Sequence, residues 1–405
     1  MRTELGWSLD PAVTFLNHGS FGACPEAVLA VQQGWRDRLE REPVTFLERE
    51  LEGHLDRARE SLGGFLGADP AGLVFVPNAT TASNAVLGSL RFEPGDELLT
   101  CDHEYNATLN TIRAAAHRDG ARVMLAAFPF PSAGDDEIVE ALLDAVTSRT
   151  RLVVISHVTS PTALVLPIER LVRELDGRGI DTLVDGAHAP GMVPLRLDEL
   201  GAAYYIGNGH KWLCGPKGSG FLWVRADRRE RIHPSIVSHG ANATRTDRPR
   251  FRLEFDWVGT GDPSAVLSLP AAIDWMAGLD PGGWPAVMAA NRALALEARD
   301  RLVASLGGPA SAVVPHAVPD TMIGSMAAVA LPGLRTDEDA ERLHRVLFEE
   351  DRIEVPIVPW PVPAARTAPT DPPRSVLVRV SAQRYNESSD IDALLSALGR
   401  RLTAA

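Results

Sequence analysis

The 405-residue chain predicts an α/β protein: a large domain with a mostly parallel seven-stranded sheet, followed by a smaller α+β domain. Three observations lead there. Apolar, β-rich runs alternate with helical patterns from about residue 70 onward, the rhythm of βαβ units and a mainly parallel sheet. That rhythm breaks at a Gly/Pro cluster over 280–285, composition suited to a boundary. The length exceeds one average domain, and a chain 45% hydrophobic and 23% charged can bury a sizeable core.

In order, Leu73–Val76 reads as a strand and Thr80–Leu90 as a helix. Glu97–Cys101 pairs with a helix over Ala107–His117, and Arg122–Ala126 with one over Glu137–Thr147. Arg151–Ser156 has the continuous apolar pattern of a buried strand, and Ile168–Asp176 is the helix after it. Asp181–Val184, Ala203–Ile206 and Ser219–Val224 complete the sheet. Beyond the boundary come a helix over Ala286–Leu306, a strand near Ala327–Leu331 and a helix over Thr336–Glu350. A strand over Ser375–Val380 and a terminal helix over Ser388–Leu402 follow. The Pro-rich stretch Pro356–Pro373 is too long for a simple connection and reads as a loop placed to cover a site.

Charge and composition exclude several classes. The net charge of −13, with no basic run interleaved with aromatics, argues against nucleic-acid binding, which rests on Lys and Arg neutralising phosphates. Residues 1–10 carry charges and no apolar core of a signal peptide, and no stretch approaches 18 uninterrupted apolar residues, so no membrane span is expected. Cys24, Cys101 and Cys214 are scattered and odd in number, which suits a reducing cytoplasm. No metal site is read.

Of the 40 basic residues only Lys211 and Lys217 are lysines, so chemistry needing a lysine amine has two candidates. Three motifs fall at the ends of predicted strands, where open α/β sheets bind ligands. Pro77-Asn78-Ala79-Thr80-Thr81 lies between a strand and a helix; its backbone N–H groups suit a phosphate, though taken alone it reads first as an N-cap by Thr80. Asp185-Gly186-Ala187-His188 follows the strand Asp181–Val184. A carboxylate there can keep a pyridine nitrogen protonated, or merely cap a helix. Gly207-Asn208-Gly209-His210-Lys211 opens a glycine-rich loop containing both lysines. An amine beside a desolvated site becomes neutral and nucleophilic; the other reading is a solvated lysine.

In this order the motifs resemble those of the class V aminotransferases, and within them the isopenicillin N epimerase-like group. The resemblance runs nearly end to end, through Phe15-Leu16-Asn17-His18-Gly19-Ser20-Phe21-Gly22, Asp102-His103-Glu104-Tyr105-Asn106, Val258-Gly259-Thr260-Gly261-Asp262 and Arg379-Val380-Ser381. It implies the aspartate aminotransferase-type fold, with residues 1–45 packing on a small domain of 285–405 and residues 46–284 forming the large one. It implies pyridoxal 5′-phosphate held as a Schiff base by Lys211, with Asp185 on the pyridine nitrogen and His188 on the phenolic oxygen. His103 is expected to stack on the ring. Ala79, Thr80 and His210 are expected at the phosphate, joined by Asn208 where many members have Ser. Thr260 resembles a residue given to the partner's phosphate in a homodimer. Asn17, His18 and Arg379 are expected to meet an amino-acid substrate, Arg379 clamping its carboxylate.

The resemblance favours epimerisation at Cα, with Lys211 on one face and His103 or Tyr105 on the other. A C–S β-lyase, an aminotransferase and carbon–carbon bond formation use the same opening chemistry and stay open. No cysteine follows Cys214, which disfavours persulfide chemistry of the desulfurase kind. A nicotinamide dehydrogenase would need a G-x-G-x-x-G turn after an early strand, and there is none. A non-catalytic binding module would require the Lys211 loop to be purely structural.

Overall fold

The computed structural model describes residues 6–132, 134–306 and 318–402; residues 1–5 of the N-terminal stretch discussed above lie outside them. The large sheet has seven strands: β2 (Leu73–Val76), β3 (Glu97–Cys101), β4 (Arg122–Ala126), β5 (Thr150–Ser156), β6 (Asp181–Gly186), β7 (Tyr204–Asn208) and β8 (Gly220–Val224). β1 (Thr14–Phe15) belongs elsewhere. Their order is β2-β8-β7-β6-β5-β3-β4, and β8 alone runs against the rest.

The reason lies in the covering layers. From Leu152 to Ser156 every residue of β5 is buried, the pattern of a parallel strand covered on both faces. The helix Ile168–Asp176 that returns the chain to β6 buries Ile168, Leu171, Val172 and Leu175, one apolar stripe at helical spacing. β6 and β7 are thereby held in mid-sheet, with their C-terminal ends beside those of β5 and β3.

A second sheet is antiparallel, ordered β11-β12-β9 from β9 (Met326–Ala330), β11 (Ile357–Trp360) and β12 (Ser375–Ser381). β1 pairs parallel with β10 (Ile353–Glu354), and Asn17 bridges Ser381, so the N-terminal segment is tied to this unit. The helix Gly283–Leu306 touches both cores, Ala295 in the larger and Ala298 and Leu302 in the smaller. The helix Asp337–Glu349 opens with a capping box between Thr336 and Asp339.

Two features differ from the sequence expectation. The helices Glu26–Arg41 and Leu51–Leu66 were not read; the first buries only Val28 and Gln32, so it carries almost no apolar period. The Pro-rich stretch 356–373 contains the strand β11, which tolerates Pro359 because it lies at the sheet edge. The rest of that stretch reaches back to the large domain, where the Ala364 N–H donates to Asn106 Oδ1 at 3.0 Å, and just beyond it Arg374 pairs with Asp102. Among the described residues no helix is long and apolar enough to cross a membrane.

Candidate active site

At the C-terminal ends of β2, β5, β6 and β7 the chain leaves a cavity of about 340 Å³. After β7 it turns through Gly209–Gly218 into β8, closed by Gly209 N–H donating to the Ser219 carbonyl at 2.6 Å. This loop delivers Lys211, whose Nζ lies 3.0 Å from His188 Nε2. Burial, and after it the Arg379 charge, push the Lys211 amine down to about 7. Above that pH it is neutral and nucleophilic. Lys217 also lines the cavity, but its ammonium donates to the Gly22 carbonyl at 2.5 Å.

The tautomer of His188 follows from its neighbour. Trp212 Nε1–H, which can only donate, points at His188 Nδ1 from 3.5 Å. Nδ1 is then the acceptor and Nε2 carries the hydrogen, directed toward Lys211 and the cavity. Burial holds this imidazole well below its ordinary range, so it is neutral.

β6 ends in Asp185. Its Oδ1 accepts the Ala187 N–H at 3.0 Å and its Oδ2 the Thr108 hydroxyl at 2.8 Å. Burial raises its carboxyl, opposed by those two donors and by the Lys211 charge. The next residue must be small: a Cβ on Gly186 would lie 2.1 Å from the Tyr205 ring.

The third motif edge is Asn78–Thr80. Asn78 caps the helix Ala79–Ser89, its Oδ1 accepting the Thr81 N–H at 2.9 Å, so the cap is not Thr80. Asn208 Oδ1 accepts the Ala79 N–H at 2.9 Å, which positions the loop from across the sheet. Thr80 and His210 line the same end of the cavity, and His210 Nδ1 is buried with no hydrogen-bond partner. Burial pushes the His210 imidazole down to about 4. These groups form an uncharged cradle of N–H and hydroxyl donors.

Arg379 approaches from β12 and is buried. Its guanidinium donates to the Ser160 carbonyl at 2.5 Å and to Ser20 Oγ at 2.9 Å, and its Nε is buried without a partner. Burial pulls it down to about 10. None of the described carboxylates pairs with it, an arrangement that leaves an anion to be supplied.

Several expected contacts are placed elsewhere. His103 does not line the cavity: its ring stacks on Phe128, centroids 3.9 Å apart, with Nδ1 2.8 Å from Thr162 Oγ1. Its neighbour Tyr105, half exposed, lines the cavity instead. His18 is fully buried behind the lysine, 2.8 Å from the Tyr385 hydroxyl and 3.0 Å from the Lys211 carbonyl, so it braces the loop. Asn17 donates to Glu354 at 2.8 Å and is also off the cavity wall. Thr260 is exposed and does not line the cavity of its own chain. Residues that sequence reasoning missed are Ser20, Ser160, Thr108 and Glu104. Ser20 and Glu104 stand inside quoted motifs, next to residues that drew the attention. Among the described residues no group of three or more His, Cys, Asp or Glu is arranged to hold a metal ion.

Comparison with known proteins identifies the relatives of this chain. The sequence model of the family described as aminotransferase class-V matches residues 41–394. Isopenicillin N epimerase of Streptomyces clavuligerus is 38% identical over 402 residues, covering 96% of this chain and 95% of that protein. A probable chloroplastic L-cysteine desulfhydrase of Arabidopsis thaliana is 31% identical, covering 96% of this chain and 83% of that protein. The crystal structure of a cysteine desulfurase from Escherichia coli superposes with a TM-score of 0.79 at 24% identity, covering 100% of this chain and 98% of that one, a likeness of fold.

Proposed function

The chain belongs to the class-V aminotransferase family, whose cofactor is pyridoxal 5′-phosphate, and from that premise we propose that it epimerises an amino acid at Cα. The residues present fit that cofactor. Lys211 is a half-buried amine facing the cavity and suited to hold it covalently, and Asp185 offers a carboxylate at the cavity wall for its ring nitrogen. His188 presents an N–H beside Lys211, and Thr80, the Asn208 amide and His210 suit the phosphate, whereas the expected Ala79 N–H is taken up by Asn208 Oδ1. When bound, the cofactor withdraws electrons from Cα and so acidifies its proton.

One observation carries the epimerase reading. Lys211 follows β7 and Tyr105 follows β3, and these strands lie on opposite sides of β6, which ends in Asp185. Both side chains line the cavity that Asp185 walls, and on this reading the Lys211 amine and the Tyr105 hydroxyl would meet opposite faces of a flat group anchored at Asp185. Epimerisation needs such a pair, one group to take the Cα proton and another to return one to the opposite face. His103, held against Phe128, is withdrawn from that role. Arg379, with Ser20, would hold the substrate carboxylate and so fix which face each group meets.

In D₂O, substrate is expected to gain deuterium at Cα while its configuration inverts. Tyr105→Phe should slow inversion on the order of 10²-fold or more, yet leave exchange with retained configuration, since Lys211 still serves its own face. Keto-acid release without an inverted amino acid would sink the epimerase reading and favour C–S lyase chemistry, the activity for which the desulfhydrase relative is named. Such a lyase would not work through a cysteine of this chain. Cys24, Cys101 and Cys214 are buried, none lines the cavity, and burial raises each thiol.

We further propose a homodimer in which the exposed Thr260 reaches the partner's phosphate end. Sedimentation is expected to show a dimer, and Thr260→Ala to release cofactor more readily. A monomer that turns over would refute the shared site.

A further inference from the structure

We propose that Glu104 is a positioning residue that holds the one proton of a buried carboxyl pair and so keeps Asp185 as its charged member. This rests on the reading that Asp185 meets a ring nitrogen. Register brings the two together. Ser156 on β5 is paired with Asp185 on β6, and its hydroxyl donates to Glu104 Oε1 at 2.5 Å. Ser156 and Asp185 both line the cavity, and Glu104 lies fully buried behind them.

The donors divide unequally. Asp185 has one donor on each oxygen, which suits an ionised group with charge on both. Glu104 receives both of its donors, the Tyr105 N–H at 2.7 Å and Ser156, on Oε1 alone. Its Oε2 is buried and bare, which costs far more on an anion than on a neutral acid.

No neighbour offers a spare positive charge. On its own segment Asp102 is paired with Arg374, Cys101 is a buried thiol and His103 is pushed down to about 3. From β5 and β7, His157 is pushed down to about 4 and Tyr205 well up, both neutral. From β6, His188 is neutral too, and the Lys211 charge acts on Asp185. Two carboxyls so placed do not both ionise near neutrality. Burial first, and then the Asp185 charge, raise Glu104 to about 8.

The sign of the resulting pH dependence is definite. A carboxyl raised in the folded state contributes stability that is complete below its unfolded value and is lost as pH rises to about 8. Glu104→Gln copies the neutral acid and cannot ionise. In the cofactor-free protein the variant's melting midpoint should match wild type near pH 5. It should then draw ahead up to about pH 8 and hold a lead of a few °C. A pH-independent offset, or a lead that shrinks with pH, overturns the proposal. Should the variant not fold, infrared difference spectra of wild type decide: a buried protonated carboxyl band that disappears as pH rises through about 8 is expected, and its absence overturns the assignment. In the loaded protein, Glu104→Gln should leave the visible band at neutral pH in place while shifting its alkaline transition to lower pH; an unmoved transition counts against the pair. Absence of a visible band in every form would instead refute the cofactor reading, and leaves the melting result to stand by itself.

Discussion

Lys211→Ala is expected to abolish covalent cofactor attachment and to reduce turnover by at least about 10³-fold, while Lys217→Ala keeps the attachment. The chain contains only these two side-chain amines, and both line one cavity. They differ in what surrounds them. The half-buried Lys211 amine sits beside a neutral imidazole, and desolvation, followed by the Arg379 charge, favours its uncharged, nucleophilic form. Lys217 lies in an exposed turn and spends a hydrogen on the Gly22 carbonyl. Borohydride reduction followed by peptide mapping separates them. A pyridoxyl group on Lys217, or on neither, would end the assignment of Lys211.

Asp185→Asn should leave the covalent attachment intact and lower turnover by about 10²-fold or more, the scale of one lost electrostatic partner, about 3 kcal/mol in the transition state. The amide oxygen can still accept the Ala187 N–H, and the amide NH2 in the place of Oδ2 can donate to the Thr108 hydroxyl oxygen once that hydroxyl turns, so the loop geometry survives. What it lacks is the full negative charge that holds a proton on a ring nitrogen. Turnover within a few-fold of wild type would mean that another group faces that nitrogen.

How much of this was legible depended on the residue. β5 and β6 were legible because strands buried on both faces are written as unbroken apolar runs, and Asp185 and His188 stand where one run ends. Lys211 stood out because lysine is so scarce here. His103 did not resolve, because Asp102–Tyr105 lies just past the end of β3, where the two-residue alternation of a strand stops dictating facing. A shift of one or two positions there exchanges a residue packed on Phe128 for one that lines the cavity. Glu104 was hidden for the related reason that a buried, half-bonded carboxyl looks in sequence like any surface acid. Arg379 is one of many arginines; only the packed structure reveals that it has no carboxylate partner. β11 was masked by its prolines, which an edge strand accommodates.

The position of Arg379 has a consequence for how the molecule articulates. The guanidinium belongs to the strand β12 of the smaller sheet, whereas Ser160, which accepts two of its hydrogens through carbonyl and hydroxyl, follows β5 of the larger one. In this arrangement the group is a rivet between the two units as well as the proposed receptor for a substrate anion. A carboxylate that takes over those donors loosens the rivet as it binds. Linkage then runs both ways: parting of the units would tighten anion affinity by the same factor by which a bound anion eases that parting.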